Sequence, residues 1–189
     1  MPIATYSLSL IQTLQPPVQP IALSFLERCE AAGIPCSIVQ GTRTFEEQQA
    51  LYDKGRTTPG KPVTKARPGD SYHQYGLAFD VVPNAYKNLP EWNPTGPAWK
   101  TIGEIGESLG LTWGGRWLSP DEPHFELNAA PINELKDFYN KAVAAGKTGW
   151  DRMMPISIEP TIGAFGIIMV IALAYFFWLR PMLERRGYV

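Results

Sequence analysis

The chain has 189 residues, enough for one domain of ordinary size and an appendage. Its 44% hydrophobic and 19% charged residues are those of a globular protein and exclude a disordered one. The net charge is −1, and Arg180, Arg185 and Arg186 against Glu184 give residues 160–189 a net +2, which leaves −3 for residues 1–159. A mildly acidic body has no basic footprint, so nucleic acid is not an expected partner.

Residues 1–18 are expected to form an arm or a strand. No Lys or Arg occurs from Met1 to Glu27, and Pro16, Pro17 and Pro20 interrupt any apolar run, so no secretory signal is read there. Pro20 to Ala32 is predicted as a helix with Ile21, Phe25, Leu26 and Cys29 on one face and Gly33 as its stop. Ile34 to Val39 follows as a short buried strand ending at Gly41. Cys29 and Cys36 flank this helix-to-strand turn; a free pair is favoured, with a bridge as the alternative. Thr44-Phe45-Glu46-Glu47 has the pattern of a capping box and starts a helix through Tyr52.

Residues 55–70 read as a Gly/Pro-rich basic loop, and Leu77 to Val82 as a strand with Leu77, Phe79 and Val81 opposite Ala78, Asp80 and Val82. A Pro/Asn-rich loop over 83–97 precedes a helix from Pro97 to Leu109. Leu111 to Leu118 and His124 to Leu127 are predicted strands, joined by the turn Ser119-Pro120-Asp121-Glu122-Pro123. Ile132 to Ala145 is a helix with Leu135, Phe138, Tyr139 and Ala142 inward. The expected fold is α+β, with helices packed on a small, mostly antiparallel sheet.

Past a linker at 146–159, no residue from Pro160 to Leu179 is charged and nearly all are apolar. About 20 such residues cross the hydrocarbon core of a bilayer as a helix. Tyr175, Trp178 and Arg180 at one end suit an interface. Residues 160–180 are therefore predicted to span a lipid membrane, with 181–189 as a basic tail on the cytoplasmic side. Lys147 and Arg152 on the other flank weaken that asymmetry.

The chain's two histidines carry its chemistry. His73 lies in Ser71-Tyr72-His73-Gln74-Tyr75-Gly76-Leu77-Ala78-Phe79-Asp80, and His124 in Asp121-Glu122-Pro123-His124-Phe125-Glu126. Two imidazoles and the Asp80 carboxylate make three metal ligands and leave a fourth tetrahedral position open, which is the catalytic arrangement of zinc and not the closed structural one. Their separation of seven residues places His73 on the approach to a strand and Asp80 within it. Asp121, on the turn before His124, is the candidate general base, with Glu122 as competitor and Glu126 as a carboxylate behind His124. Arg43, ahead of a helix N-terminus, is a candidate for a substrate carboxylate or an oxyanion, or else pairs with Glu46 or Glu47. Trp113 and Trp117 either wall a groove or belong to the core. Gln48 and Tyr52, one helical turn apart, read as structural. Arg56, Lys61, Lys65 and Arg67 read as a solvated loop.

Taken together, Gly41-x-Arg43-Thr44-x-x-x-Gln48-x-x-Leu51-Tyr52, Gly55-Arg56-Thr57, Ser71-x-His73-x-x-Gly76-x-Ala78-x-Asp80, Trp113-Gly114-Gly115-x-Trp117 and Asp121-x-x-His124-Phe125-Glu126 resemble the zinc D-alanyl-D-alanine carboxypeptidase family. More narrowly, they are similar to its phage endolysin branch, the L-alanyl-D-glutamate endopeptidases. The resemblance implies a hedgehog-like or lysostaphin-type α+β core over 1–145, with one Zn2+ held by His73, Asp80 and His124. It implies Asp121 as catalytic acid/base, Arg43 as substrate or transition-state anchor, and Ser71 and Trp117 at the substrate. That substrate would be the stem peptide of peptidoglycan, cut by an endopeptidase or trimmed by a D,D-carboxypeptidase. A non-catalytic membrane protein on the same scaffold is the alternative from another class. The apolar 160–180 segment departs from soluble members of that branch, and implies an enzyme held at a host inner membrane or in a virion membrane.

Overall fold

The structure is a computed structural model that describes residues 3–84 and 96–156. The compact unit runs through Ile156. The predicted membrane span at 160–180 and its basic tail lie outside the described residues. Among the described residues, no helix is long and apolar enough to cross a membrane.

Five helices, α1 (Thr5–Ile11), α2 (Gln19–Ala31), α3 (Phe45–Asp53), α4 (Ala98–Ser108) and α5 (Ile132–Ala144), accompany four strands, β1 (Cys36–Gln40), β2 (Ala78–Pro83), β3 (Thr112–Trp113) and β4 (His124–Glu126). The strands form one sheet in the order β1-β2-β4-β3, antiparallel throughout. The expected α+β class with helices on a small antiparallel sheet is what the chain adopts.

Alternation along the strands divides the sheet into an apolar and a polar face. Phe79, Phe125 and Trp113 stand opposite one another across β2, β4 and β3. Their rings stack, 6.0 Å apart for Phe79–Phe125 and 6.5 Å for Trp113–Phe125. Phe25 of α2 meets Phe79 edge-on at 5.6 Å and leans on Phe125 at 4.8 Å. Such pairs add about 0.5–1.5 kcal/mol each beyond the area they bury. The residues between them, Asp80 and His124, point to the opposite face.

Helix α2 buries Ala22, Phe25, Leu26 and Cys29, one stripe of a 3.6-residue period. It ends at Gly33, whose φ of +74° lets the amides of Gly33 and Ile34 reach back to the carbonyls of Glu30 and Cys29. Both cysteines are free thiols, Cys29 buried and Cys36 half-buried. Helix α3 has the predicted capping box: the Glu47 amide donates to Thr44 Oγ1 at 3.0 Å, and the Thr44 amide to Glu47 Oε2 at 2.8 Å.

Two expectations are corrected. The opening arm or strand contains helix α1, which buries Ser7 and Ile11 and has no side-chain cap. Its propensity signal is weak, and packing decides: the Ile38 amide of edge strand β1 donates to Ser7 Oγ at 3.1 Å. The predicted strand from Leu111 to Leu118 stops after Trp113, where Gly114–Arg116 turn as a 3-10 helix. Gly115 passes under the indole, for a Cβ there would lie 2.3 Å from the Trp113 ring. At the other end, Met153, Met154 and Ile156, within the expected 146–159 linker, pack on the core.

Helix α4 lies close on the aromatic row through glycine. A Cβ on Gly103 would come within 2.1 Å of the Trp113 ring. Helix propensity alone favours Gly→Ala by about 1 kcal/mol, whereas overpacking costs about 1–3 kcal/mol or more. Gly103→Ala is therefore expected to destabilise the chain by about 1–3 kcal/mol in urea unfolding. An unchanged or raised midpoint would show that α4 is not packed this tightly.

Candidate metal centre

The three predicted ligands reach one point from three segments. Asp80 and His124 are directly opposite across the β2–β4 ladder. His73 lies in the 3-10 turn Tyr72–Tyr75, and Gly76 at φ +67° reverses the chain into β2. His73 Nε2, Asp80 Oδ1 and His124 Nδ1 are each 3.2 Å from the other two. This equilateral triangle is informative. Ligand bonds of about 2.0–2.1 Å at a tetrahedral centre put donor atoms about 3.3 Å apart. Hydrogen bonding explains it less well, since three bonds cannot share the protons that two imidazoles supply along those edges. The donor set and its spacing fit a single ion.

Each imidazole is fixed from behind. His73 Nδ1 lies 2.8 Å from the Gly41 carbonyl oxygen, an acceptor only, so Nδ1 carries the proton and Nε2 is free to ligate. His124 Nε2 lies 2.9 Å from Glu126 Oε2, which turns Nδ1 toward the other ligands. Glu126 is buried, and this carboxylate–imidazole contact both orients a ligand and raises its basicity.

Burial would lower the His124 imidazole, but its hydrogen bonds to the carboxylates of Asp80 and Glu126, with their charges, push it up to about 9. Burial would raise the Asp80 carboxyl, yet the charges of His73 and His124 and their hydrogen bonds hold it well below the usual carboxylate range. A buried acid with this much positive neighbourhood stays ionised, as a metal ligand must.

The triangle opens onto a cleft of about 1080 Å³, lined among others by Arg43, Ser71, Trp117 and Asp121. Every residue predicted for catalysis or substrate contact thus meets the same space. Asp121 is held on the rim, its amide donating to the Gly114 carbonyl and its carbonyl accepting from the His124 amide, both at 3.1 Å. Partial burial and the charge of Asp80 raise its carboxyl above the usual range, against the pull of His124 and His73. Glu122, its competitor, does not line the cleft, and its carbonyl accepts the Trp113 indole N–H at 2.7 Å.

Arg43 does not form the alternative pair with Glu46 or Glu47. Its Nη2 lies 3.6 Å from Asp80 Oδ2 and its Nη1 donates to Gln48 Oε1 at 2.9 Å, while the buried Nε has no partner. Gln48, read as structural, is fully buried and donates to the Ala66 carbonyl at 2.8 Å. It ties the guanidinium to the rim loop. In the sequence it is marked by its place in the first motif, one helical turn and a residue past Arg43.

The two tryptophans separate. Trp113 belongs to the core, whereas Trp117 is 40% exposed with its ring 5.1 Å from that of His124. Of the loop cations, Arg56 lies over the Tyr52 ring at 4.1 Å and donates to the Thr64 carbonyl at 2.9 Å, so it shapes the loop. Lys65 lines the cleft.

Two measurements check this geometry. Without an ion, His124 is charged below about pH 9 and must lose that proton to ligate. Metal affinity, measured by chelator competition, is therefore expected to climb by about tenfold per pH unit up to that value. Glu126→Ala should weaken affinity by about 10–100-fold with the fold intact; equal affinity would show that Glu126 does not support His124.

Comparison with known proteins places this site. The D-alanyl-D-alanine carboxypeptidase family model matches residues 64–127. Peptidoglycan L-alanyl-D-glutamate endopeptidase CwlK of Bacillus subtilis is 42% identical over 103 residues, which cover 50% of this chain and 62% of that protein. Two solved structures share lower identity. Serratia marcescens L-Ala D-Glu endopeptidase ChiX is 21% identical with a TM-score of 0.47, over 66% of this chain and 87% of that one. The vancomycin-resistance D,D-pentapeptidase VanY in complex with Zn(II) is 18% identical with a TM-score of 0.47, over 66% and 78%. The stretch that this family model matches holds His73, Asp80, Asp121 and His124, the residues on which the motif resemblance rests.

Proposed function

We propose that the chain is a zinc peptidase that cleaves peptidoglycan stem peptides, at the bond between L-alanine and D-glutamate. The observation that carries this reading is the 3.2 Å triangle of His73, Asp80 and His124, open on one side to a cleft that also receives Asp121 and Arg43. The substrate class is supported by the named activity of the 42% identical relative, of whose length the chain spans 62%. The size of the cleft favours an endopeptidase. The cleft, about 1080 Å³, is open and has room for more of a peptide than its last residue.

Zinc, when bound by the two imidazoles and Asp80, supplies Lewis-acid polarisation of the scissile carbonyl and makes water more acidic. The remaining work falls to the chain's own side chains. Asp121 accepts the proton of the attacking water and returns it to the leaving amine; its raised carboxyl suits both halves of that transfer. Arg43 holds a guanidinium edge toward the developing oxyanion, with Gln48 and Asp80 keeping it from swinging into solvent. Ser71 and Trp117 line the cleft beside the ligands and orient the peptide.

Residues 160–180 we read as a membrane anchor. The uncharged run followed by Arg180, Arg185 and Arg186 supports a cytoplasmic tail and a catalytic domain on the peptidoglycan side. An enzyme so placed would act in phage-type host lysis or wall penetration, from a host inner membrane or a virion membrane. Protease digestion of intact spheroplasts should remove the N-terminal unit; full protection would reverse the topology.

Digestion of purified peptidoglycan by the full chain in detergent tests the activity. Fragments with a new N-terminal D-glutamate are expected, abolished by chelator and by Asp121→Ala with zinc still bound. Free D-alanine instead would assign a D,D-carboxypeptidase, the reading that the family description favours. No product of either kind, with zinc bound, would leave a non-catalytic scaffold.

A further inference from the structure

The proposed chemistry uses no residue before Arg43, yet the N-terminal segment is bonded to both stretches that hold His73. Thr13, just past α1, accepts the Thr42 amide on its Oγ1 at 2.9 Å, and the Thr42 hydroxyl donates back to the Thr13 carbonyl. Gly41 is pressed against this turn. A Cβ on it would lie 2.5 Å from Thr13 Oγ1 and 2.7 Å from the Leu10 carbonyl oxygen. The Gly41 carbonyl is the group that accepts His73 Nδ1–H.

Two residues on, Gln15 takes the other side. Its backbone amide donates to the Gly76 carbonyl at 2.9 Å, and its side-chain Nε2 to the Tyr75 carbonyl at 2.8 Å. Those carbonyls belong to the turn immediately after His73. Gln15 is 3% exposed, and the bond joins residues sixty apart in sequence. Two residues of one segment therefore hold both sides: Thr13 bonds Thr42 beside the Gly41 acceptor that fixes the His73 tautomer, and Gln15 bonds the turn that carries the His73 backbone.

We propose that Thr13 and Gln15 are positioning residues of the metal centre, holding the His73 imidazole so that Nε2 stays at its corner of the ligand triangle. The inference rests on the metal reading above. A ligand set with equal 3.2 Å edges has little tolerance for a shift of one imidazole, and supports behind first ligands are worth about 10–100-fold in metal affinity. Acting one contact further out, Thr13 and Gln15 are expected near the lower end of that range.

Cobalt(II) substituted into the full chain in detergent reports ligand geometry through its visible absorption, and chelator competition reports affinity. Thr13→Val and Gln15→Asn, the second too short to reach Tyr75, are expected to weaken cobalt binding about tenfold and to shift the bands. Thr13→Ser, which keeps the hydroxyl, should restore both. Gln19→Ala, whose amide reaches the Leu14 carbonyl instead, should leave both unchanged. Melting of the metal-free variants separates a folding defect from a displaced ligand. If Thr13→Val and Gln15→Asn lower the melting temperature but bind cobalt with wild-type affinity and spectrum, the two residues are merely structural and the proposal fails. Should Thr13→Val not fold, the Gln15→Asn comparison decides alone. A wild-type chain that binds no cobalt defeats the metal reading itself, and this inference with it.

Discussion

Antiparallel pairing of β2 with β4 sets Asp80 directly across from His124, and the same register sets Phe79 across from Phe125. The two faces of the sheet are therefore fixed together. A slip of one residue would turn the aromatic row to the cleft and the ligands into the core. Burying one such ring is worth about 1.5–3 kcal/mol, and the row contains three, with Phe25 packed against two of them. The hydrophobic face thus holds in place a polar face that would not hold itself. The β-bulge between Ile38 and Gln40 bends β1 where it leads into Gly41, and so aims the carbonyl that His73 needs.

That polar face is electrostatically costly on its own. Taking a carboxylate and imidazoles out of water costs several kcal/mol for each ion, and mutual attraction offsets this only with good geometry and full hydrogen bonding. Here Asp80 Oδ1 faces two nitrogens while Oδ2 faces Arg43. The division matters, since a guanidinium on Oδ1 would compete for the corner of the triangle. Gln48 draws the guanidinium toward the rim and leaves its Nε without an acceptor. A buried cationic donor without a partner is unfavourable. Arg43 thus pairs with the carboxylate oxygen of Asp80 that the triangle does not use.

The sequence made the helices and the ligands easier to read than the strands. Helices α2 and α5 have apolar stripes and α3 a capping box, and their bounds fall within a residue or two of expectation. His73, Asp80 and His124 stood out because a three-ligand site is defined by side-chain chemistry. Helix α1 was missed because it lacks a capping side chain and owes its form to the β1 edge it covers. The strand after Leu111 was overextended because Trp113 and Trp117 alternate like a strand, while the turn between them depends on two glycines fitting against Asp121 and the Trp113 ring. Glu126 was legible by its spacing from His124, whereas the role of Gln48 depends on where Ala66 returns in space.

This contrast separates ligands from the contacts that support them. The family-model match spans residues 64–127 and includes His73, Asp80, His124 and Asp121; Arg43, Gln48 and Gly41 lie before that match though within the first motif, and Thr13 and Gln15 lie before both. A ligand is fixed by element and charge, so its residue type is constrained. The supports act largely through main-chain carbonyls: Gly41 behind His73, Tyr75 and Gly76 in front of Gln15. Any residue supplies a carbonyl, so no side-chain motif records these contacts. What the sequence can show is where a side chain is forbidden, and Gly41 is such a place, because a Cβ there would collide with the Thr13 turn. A metal centre of this kind is thus specified twice, once by the donors that a motif displays and once by close backbone approaches that only the fold reveals.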